Sequence, residues 1–324
     1  MKVLVVGGAG YIGSHTVLKL KEKNIDTVVV DNLSKGHRKA VLTDNFEKVD
    51  ILDKKRLEKI FEKYKFDGVI HFAAHCLVGE SIKNPKLYFE ENLNGLLNIL
   101  DCMLKFKVDN IIFSSSCAVY GNPQFIPLTE EHPKDPINPY GETKFFGEKI
   151  LKRYEEAYGI KFISLRYFNA AGADFEGRIG ESHNPETHLI PLVIKSILDN
   201  NFQLTVFGND YNTKDGSCIR DYIHVLDLAE AHILALNYLL DGGTSDCINL
   251  GTGKGFSVFE IIRELEKISG KKSKYKIGKR REGDPPILVA DNKKAKEILG
   301  WKTENSGINS ILESAFKWHT SPKF

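Results

Sequence analysis

The sequence has few of the residues that mark several protein classes. Its 324 residues include only 5 cysteines, with no CxxC pair, and their odd number argues against a complete set of disulfides. No apolar run approaches the roughly 20 residues of a membrane-spanning helix, and no secretory signal is visible. The 45 basic and 43 acidic residues are interspersed and give a net charge of only +2. That balance excludes a general footprint for nucleic acid or an anionic membrane.

These absences favour the reducing cytoplasm as the location of the chain. The 10 histidines include no HExxH arrangement, so the sequence predicts no metal site. The chain is long enough to bury a sizeable core, and we expect two lobes.

A glycine-rich loop follows the first apolar run. Residues 2–6 form a short β-branched run, as expected of a strand buried on both faces of a parallel sheet. Gly7, Gly10 and Gly13 come where this strand turns into a predicted helix, residues 12–23. Small residues there allow a tight turn, close approach of a pyrophosphate and close helix packing. A glycine triad alone is often only a flexible loop, but in this setting it predicts a dinucleotide site.

An acidic residue ends the second predicted strand. The apolar run at residues 27–30 leads into Asp31, close to the spacing of about 20 residues expected of a ribose-binding acid. Its carboxylate would accept hydrogen bonds from a ribose and repel a 2′-phosphate, so NAD is favoured over NADP. Lys35 and Arg38 could attract such a phosphate, although ordinary solvated loop charges are the favoured interpretation.

Strand and helix patterns alternate along the chain. Repeated β-α-β units predict an α/β fold with a doubly wound, parallel, Rossmann-type sheet, whose ligands bind beyond the carboxyl ends of the strands. The further predicted strands are residues 46–49, 68–72, 110–113, 161–165 and 247–250, and the further predicted helices are residues 54–64, 85–106, 140–158 and 221–240.

The pattern loosens after about residue 172 into connections rich in glycine, asparagine and proline. We therefore expect an NAD-binding domain over residues 1–171 and a smaller C-terminal α/β substrate lobe over residues 172–324. The segment at about 221–250 either stays in that lobe or returns to the first sheet.

Three side chains form a candidate proton-transfer set. Tyr140 and Lys144 lie four residues apart in a predicted helix, so they project from one face. A phenol, with an ordinary pKa of about 10, is a poor base at neutral pH unless its phenolate is stabilised, which a nearby ammonium does. Ser116, at the end of the fifth predicted strand, offers a hydroxyl to the phenol and to a substrate. Singly each is a common surface or turn residue; together they predict catalysis.

Several blocks of the sequence resemble the extended short-chain dehydrogenase/reductase family, and within it the sugar-nucleotide 4-epimerases, nearly from end to end. The dinucleotide loop is shared by many families, whereas the later blocks are far more specific. The matching blocks are residues 7–13, Asp31, Asp50, and residues 72–74, 114–116, 140–144, 165–169, 187–191, 207–211, 220–225 and 280–284.

The resemblance implies NAD-dependent interconversion of UDP-glucose and UDP-galactose. In such a reaction Tyr140 takes the proton of the hexose 4-hydroxyl while NAD accepts the C4 hydride, the 4-keto sugar turns over, and the hydride returns to its other face. Lys144 would stabilise the phenolate, and Ser116 would steady the reacting oxygen. Leu288 stands where relatives often carry a bulky tyrosine, so N-acetylated UDP-hexoses are further expected substrates.

The resemblance also implies the remaining contacts. The cofactor contacts are Gly7, Gly10, Tyr11, Ile12, Gly13, Asp31, Asn32, Asp50, Ile51, Phe72, Ala73, Ala74, Asn92, Tyr140, Lys144 and Tyr167. The substrate contacts are Ser116, Tyr140, Asn169, His188, Leu189, Phe207, Arg220, Arg281 and Asp284. Arg220 and Arg281 are candidates to clamp phosphates; a salt bridge to Asp221 and a solvated basic loop are the respective alternatives. A homodimer through helices 85–106 and 140–158 is implied as well, although such apolar faces commonly pack on their own sheet.

Two other functions remain open at this point. A nucleotide-sugar 4,6-dehydratase or decarboxylase uses the same scaffold, but Cys117 and Ala118 stand where dehydratases place an Asp-Glu pair. A non-catalytic NAD-sensing protein would make Tyr140 and Lys144 incidental.

Overall fold

The computed structural model describes residues 1–281 and 285–324. Its strands in chain order are β1 (Lys2–Val6), β2 (Asp26–Asp31), β3 (Phe46–Lys48), β4 (Gly68–His71), β5 (Asn110–Ser116), β6 (Lys161–Tyr167), β7 (Asn169–Ala171), β8 (Leu204–Phe207), β9 (Ile219–His224), β10 (Asp246–Leu250), β11 (Gly255–Ser257), β12 (Tyr275–Gly278) and β13 (Ile287–Leu288).

The helices lie between these strands. They are α1 (Tyr11–Glu22), α2 (Lys54–Lys63), α3 (Val78–Lys83), α4 (Pro85–Tyr88), α5 (Asn94–Phe106), α6 (Pro139–Tyr158), α7 (Leu189–Leu198), α8 (Val225–Leu240), α9 (Val258–Ser269), α10 (Lys293–Leu299) and α11 (Ile308–Thr320). Among the described helices, none combines the length and the apolar character needed to cross a lipid bilayer.

A seven-stranded parallel sheet in the order β10-β6-β5-β4-β1-β2-β3 forms the centre of the fold. The strand order reverses between β1 and β4, and ligands of doubly wound sheets bind at such a point, beyond the carboxyl ends of the strands. The predicted α/β, Rossmann-type fold is confirmed.

Both faces of this sheet are covered, which explains why its strands read as continuous apolar runs. Helices α1 and α8 pack on one face, around Val17, Leu20 and Leu236. Helices α2, α5 and α6 lie on the other, where Leu57 and Leu100 are fully buried. A separate core joins β8, α7, α9 and α11.

The predicted helix over residues 221–240 is wrong in its first turn. Residues 219–224 form β9, which pairs with β7, β11 and β13, and α8 begins only at Val225. The buried Asp221 carboxylate accepts hydrogen bonds from the backbone of Thr252, Gly253 and Ala290, and these long-range partners outweigh local helix propensity. The His224 ring then caps α8 by accepting a hydrogen bond from Leu226 N at 3.1 Å.

Two further segments bear on the sequence predictions. A π-helical turn, Phe89–Leu93, interrupts the helix predicted over residues 85–106. Strand β10 pairs with β6 at the edge of the central sheet, so this part of the second half of the chain lies in the first sheet. The division between residues 171 and 172 stays a prediction.

Candidate active site

The glycine loop joins β1 to α1 at the reversal of strand order. Its three predicted glycines have different structural roles. Gly7 has a positive φ of 81°, and a Cβ there would lie 2.5 Å from Ala73 N. A Cβ on Gly13 would lie 2.3 Å from Gly7 O, so α1 packs directly on the turn. At Gly10 the nearest atom to an added Cβ would be Gly7 O, at 3.4 Å. Gly10 is therefore the position where a ligand can approach the backbone.

The end of α1 that faces this loop suits a pyrophosphate. Gly10 is the N-cap residue and has no side chain to accept from the first-turn N–H groups of Tyr11, Ile12 and Gly13. Those amides and the positive end of the helix dipole favour an anion. The loop thus has the geometry of a dinucleotide cradle, and the chain's residues fit NAD.

Asp31 is tied to the same loop. Its carboxylate accepts hydrogen bonds from Ala9 N at 3.0 Å and from Leu33 N at 2.8 Å. Burial raises the pKa of Asp31, and these two backbone hydrogen bonds oppose the shift. Arg38 lies over the Phe46 ring at 4.6 Å and donates to Val41 O, which fits the interpretation of Arg38 as a loop charge.

The other predicted cofactor residues line the carboxyl ends of β2 to β4. Asn32 donates to the Asp50 carboxylate at 2.9 Å, and the Ile51 side chain packs against Gly95 of α5. The backbone N–H groups of Phe72 and Ala73 both donate to Val6 O, which brings residues 72–74 beside the glycine loop.

Asn92 connects the loop after β4 to the helix that carries Tyr140. Its side-chain oxygen accepts from His75 N at 2.8 Å, and its amide donates to His75 O and to the Thr143 hydroxyl, each at 3.1 Å. Thr143 in turn donates to Tyr140 O at 2.8 Å. Asn92 therefore links the loop after β4 to the first turn of α6 by hydrogen bonds.

The three predicted catalytic side chains meet at the end of β5. The Ser116 hydroxyl is a hydrogen-bonding partner of the Tyr140 phenol, and it also accepts from Ala118 N at 3.1 Å. Lys144 Nζ lies 5.8 Å from the centroid of the Tyr140 ring and donates to Ser114 O at 2.7 Å. Helix α6 begins at Pro139, with Asn138 as its N-cap. Tyr140 and Lys144 therefore lie in its first two turns and on one face.

Opposing effects act on the pKa values of the Tyr140 phenol and the Lys144 ammonium. Burial, and after it the Cys76 thiol, raise the pKa of Tyr140 well above its ordinary value, while the Ser116 hydrogen bond lowers it. Burial lowers the pKa of Lys144 to about 8. A positive charge 5.8 Å from the ring centroid would favour a phenolate at Tyr140.

Tyr167 completes the wall of this pocket. It ends β6, stands beside Ser116 in the β5–β6 register and donates to the Ser114 hydroxyl. Ser114 thus fixes both Tyr167 and, through its carbonyl, Lys144. In the sequence, Ser114 stands out only as a member of a serine run.

A buried ion pair between Arg166 and Glu148 joins α6 to β6. Arg166 donates to both carboxylate oxygens of Glu148, at 2.8 and 2.7 Å, and Ser115 donates to the same carboxylate at 2.6 Å. Tyr120 extends the network, since it accepts from Arg166 and donates to Asn249. No sequence motif singles out this network; the available signal was Glu148, four residues after Lys144 on the same helix face.

Apart from Ser116 and Tyr140, the described residues predicted to contact substrate lie on the second lobe and its junction with the sheet. Phe207, at the end of β8, is 43% exposed, and the Arg281 guanidinium lies over its ring at 4.6 Å. Asn169 opens β7, and Leu189 opens α7. Asp284 lies outside the described residues.

Arg220 and Leu288 are register partners in β9 and β13. Burial raises the pKa of the Cys117 thiol, which follows Ser116, and the positive charge of Arg220 opposes that shift. Leu288 packs against a cluster that contains Val119, Tyr120 and Phe168. Arg220 and Leu288 thus lie near the end of β5, which carries the predicted Ser116.

His188 is placed differently from the other predicted substrate residues. Its Nδ1 lies 2.9 Å from Glu181 and 3.0 Å from Glu186, so its ring has partners within the protein. With His183 these residues form a group that no sequence motif had singled out. The spacing E-x-H-x-x-E-x-H was the available signal.

This fold and this pocket define a nicotinamide-dependent enzyme of the short-chain dehydrogenase type, and the family model described as the NAD dependent epimerase/dehydratase family matches residues 3–251. The chain belongs to that family, whose cofactor is NAD.

Relatives of known activity match over nearly the whole length. The UDP-glucose 4-epimerase of Rhizobium meliloti is 50% identical over 318 residues, which are 98% of this chain and 97% of the relative. The structure of UDP-glucose 4-epimerase from Brucella ovis in complex with NAD has a TM-score of 0.96 and 47% identity over 98% of both chains. The enzyme from Bifidobacterium longum, in complex with NAD⁺ and UDP, has a TM-score of 0.95 and 38% identity over 99% of both chains.

Proposed function

We propose that this protein interconverts UDP-glucose and UDP-galactose, with UDP-N-acetylglucosamine and UDP-N-acetylgalactosamine as further substrates. The observation that carries the proposal is the meeting of Tyr140, Ser116 and Lys144 beside the glycine loop. Relatives named for this reaction at 50% identity over almost the whole chain support it.

Tyr140 is the proposed acid/base. Its phenolate would take the proton of the sugar 4-hydroxyl and later return it, and the Ser116 hydroxyl would hold the reacting oxygen. Lys144 keeps the phenolate accessible through its charge, while Ser114 O fixes the ammonium. Positioned proton transfer of this kind contributes about 10²–10⁴-fold to the rate. NAD, when bound, supplies reversible hydride acceptance and a positive charge.

Inversion at C4 needs a loose hold on the hexose and a firm hold on the rest of the substrate. The proposed handle is the nucleoside diphosphate: Phe207 flanks the base, and Arg281, already over that ring, reaches a phosphate with Arg220. The Bifidobacterium longum relative was solved with UDP, which supports a UDP site in this lobe. Asn169, Leu189, His188 and Asp284 remain proposed substrate contacts.

The dehydratase alternative lacks support at the end of β5. Elimination needs an additional acid and base near C5 and C6 of the sugar. Cys117 and Ala118 stand at the relevant positions, and burial raises the pKa of the Cys117 thiol to about 11. A neutral thiol and a methyl group do not supply that acid–base pair.

The proposed assembly is a homodimer through α6 and the segment of residues 85–106, which contains α4 and α5. Most apolar side chains of these helices pack on their own sheet, but Phe146 of α6 is 40% exposed beside Phe89, with ring centroids 6.3 Å apart. The proposed location is the cytoplasm, and the five free cysteines support it. Sedimentation at low micromolar concentration tests the dimer, and a monomer there would rule it out.

The test of the function uses the purified, untagged protein. Any nucleotide released by denaturation is identified first, and UDP-galactose and UDP-N-acetylgalactosamine are then followed by NMR without added NAD. We expect bound NAD and the appearance of the corresponding 4-epimers. Products that lack the 6-hydroxyl would favour the dehydratase. Bound NAD without any turnover, even after more NAD is added, would favour the non-catalytic NAD-sensing protein.

A further inference from the structure

Two histidines and two glutamates converge just before α7. The side chains of Glu181, His183, Glu186 and His188, called here the His₂Glu₂ cluster, each offer one ligand atom, and these atoms all lie within 4.8 Å of one another. All four come from one eight-residue stretch with the spacing E-x-H-x-x-E-x-H. Of the four residues, only His188 is also a proposed substrate contact, and the proposed proton and hydride transfers use none of them.

The ligand atoms lie near the spacing of a tetrahedral ion. His183 Nδ1 lies 3.2 Å from Glu181 Oε1 and 3.5 Å from Glu186 Oε2, and His188 Nδ1 lies 2.9 Å from the same Glu181 oxygen and 3.0 Å from Glu186 Oε1. Nitrogen and oxygen ligands about 2.0–2.2 Å from a tetrahedral zinc are about 3.3–3.6 Å apart. The four side chains need only small movements to reach that geometry.

His183 lies between the two carboxylates of the cluster. Its buried Nδ1 is 3.2 Å from Glu181 and 3.5 Å from Glu186, without a well-aligned hydrogen bond to either. A ring nitrogen that donated a proton to one carboxylate would point at it, whereas a metal ligand directs its lone pair between its neighbours. The position of His183 Nδ1 between two carboxylates is compatible with a nitrogen that shares an ion with them.

The carboxylates are oriented as ligands commonly are. One oxygen of Glu186 accepts from Thr187 N at 2.7 Å and from His188 N at 2.8 Å, which fixes this side chain and leaves its other oxygen towards His183. The Glu181 side chain is only 5% exposed, and its backbone carbonyl accepts from Trp318 of α11. Such outer contacts hold metal ligands in place.

We propose that the His₂Glu₂ cluster binds one divalent transition-metal ion of the zinc class. Imidazole and carboxylate ligands suit zinc, and four protein ligands fill a tetrahedral shell, which is typical of structural sites. The ion would fasten the segment before α7 beside α1, since the Tyr11 ring meets His183 edge-on at 6.1 Å. The His188 side chain is 43% exposed, which leaves a path for the ion to enter.

Metal content and thermal stability test this proposal without any measurement of sugar turnover. Untagged protein is analysed by mass spectrometry for bound metals, dialysed against a chelator and titrated with Zn²⁺. We expect one ion per chain, a lower Tm after chelation, and recovery at one equivalent of Zn²⁺. Glu181→Gln and His183→Gln should each weaken binding at least as much as the roughly 10–100-fold loss caused by changes around a metal ligand.

The matched control is His319→Gln, because His319 lies near the cluster without belonging to it. This variant should keep the metal and the Zn²⁺ response. If the cluster variants do not fold, Co²⁺ added to metal-free wild-type protein gives the answer, since a tetrahedral site produces strong visible absorption. Purified protein without metal and without a Tm response to Zn²⁺ or a Co²⁺ spectrum would show that the cluster is an ion-paired network only. An equal Zn²⁺ response in wild type and Glu181→Gln would likewise overturn the proposal.

Discussion

Replacing Arg166 with methionine is expected to lower the free energy of unfolding by about 3–5 kcal/mol, the cost of leaving one partner of a buried ion pair alone. The Arg166 and Glu148 side chains are only 4% and 5% exposed. Burial by itself would lower the pKa of the Arg166 guanidinium, but the Glu148 carboxylate outweighs it and the pKa is raised. The pair is therefore strongly coupled, and each charge depends on the other.

The control pair lies on α6, the helix that carries Glu148. Arg153 pairs with Glu156 at 2.7 Å, but these side chains are 80% and 44% exposed. Exposed pairs contribute about 0–1 kcal/mol because water screens them. Arg153→Met should therefore change the free energy of unfolding by no more than about 1 kcal/mol.

Guanidinium chloride unfolding followed by circular dichroism measures both variants, with the midpoint shift converted through the common slope. Glu148→Leu and the double variant Glu148→Leu/Arg166→Met complete a double-mutant cycle. The double variant should lose less than the sum of the two single losses, because it leaves no unpaired charge. A loss below about 1 kcal/mol in Arg166→Met, or strict additivity, would refute the reasoning.

Alanine substitutions in the glycine loop should separate cofactor binding from folding: Gly10→Ala folds but retains less NAD, whereas Gly13→Ala lowers Tm because its Cβ would lie 2.3 Å from Gly7 O. Equal Tm losses would contradict this. Leu288→Tyr should reduce turnover of UDP-N-acetylgalactosamine about 10-fold or more relative to UDP-galactose, as measured by NMR; an unchanged ratio would remove Leu288 as a gate. For Lys144→Met, the free energy of unfolding relative to wild type should fall between pH 8 and 10.5. Burial lowers the wild-type lysine pKa to about 8, so the unfolded chain binds the extra proton in that window and wild-type stability rises with pH. A pH-independent difference would contradict the assignment.

Local sequence rules predicted the parts of the fold that depend on local chemistry. The continuous apolar run of β1 and the glycines after it follow from burial on two faces and from a turn with no room for a Cβ. The four-residue spacing of Tyr140 and Lys144 follows from helix geometry alone.

Long-range contacts determine the parts of the fold and of the site that local sequence patterns did not predict. Residues 221–224 have a helix-like pattern, yet the buried Asp221 carboxylate and three neighbouring strands hold them in β9. The support of Lys144 by Ser114 O depends on how α6 packs on β5, which no local pattern encodes. The His₂Glu₂ cluster was local, but its spacing matched no known metal motif.

Turnover of UDP-galactose by Tyr140→Phe tests the central claim most directly. The substitution removes only the phenolic oxygen, so bound NAD and Tm should match the wild type while the rate of epimerisation, followed by NMR, falls by about 10²–10⁴-fold. Near-wild-type turnover in a variant that still binds NAD would contradict the proposed mechanism.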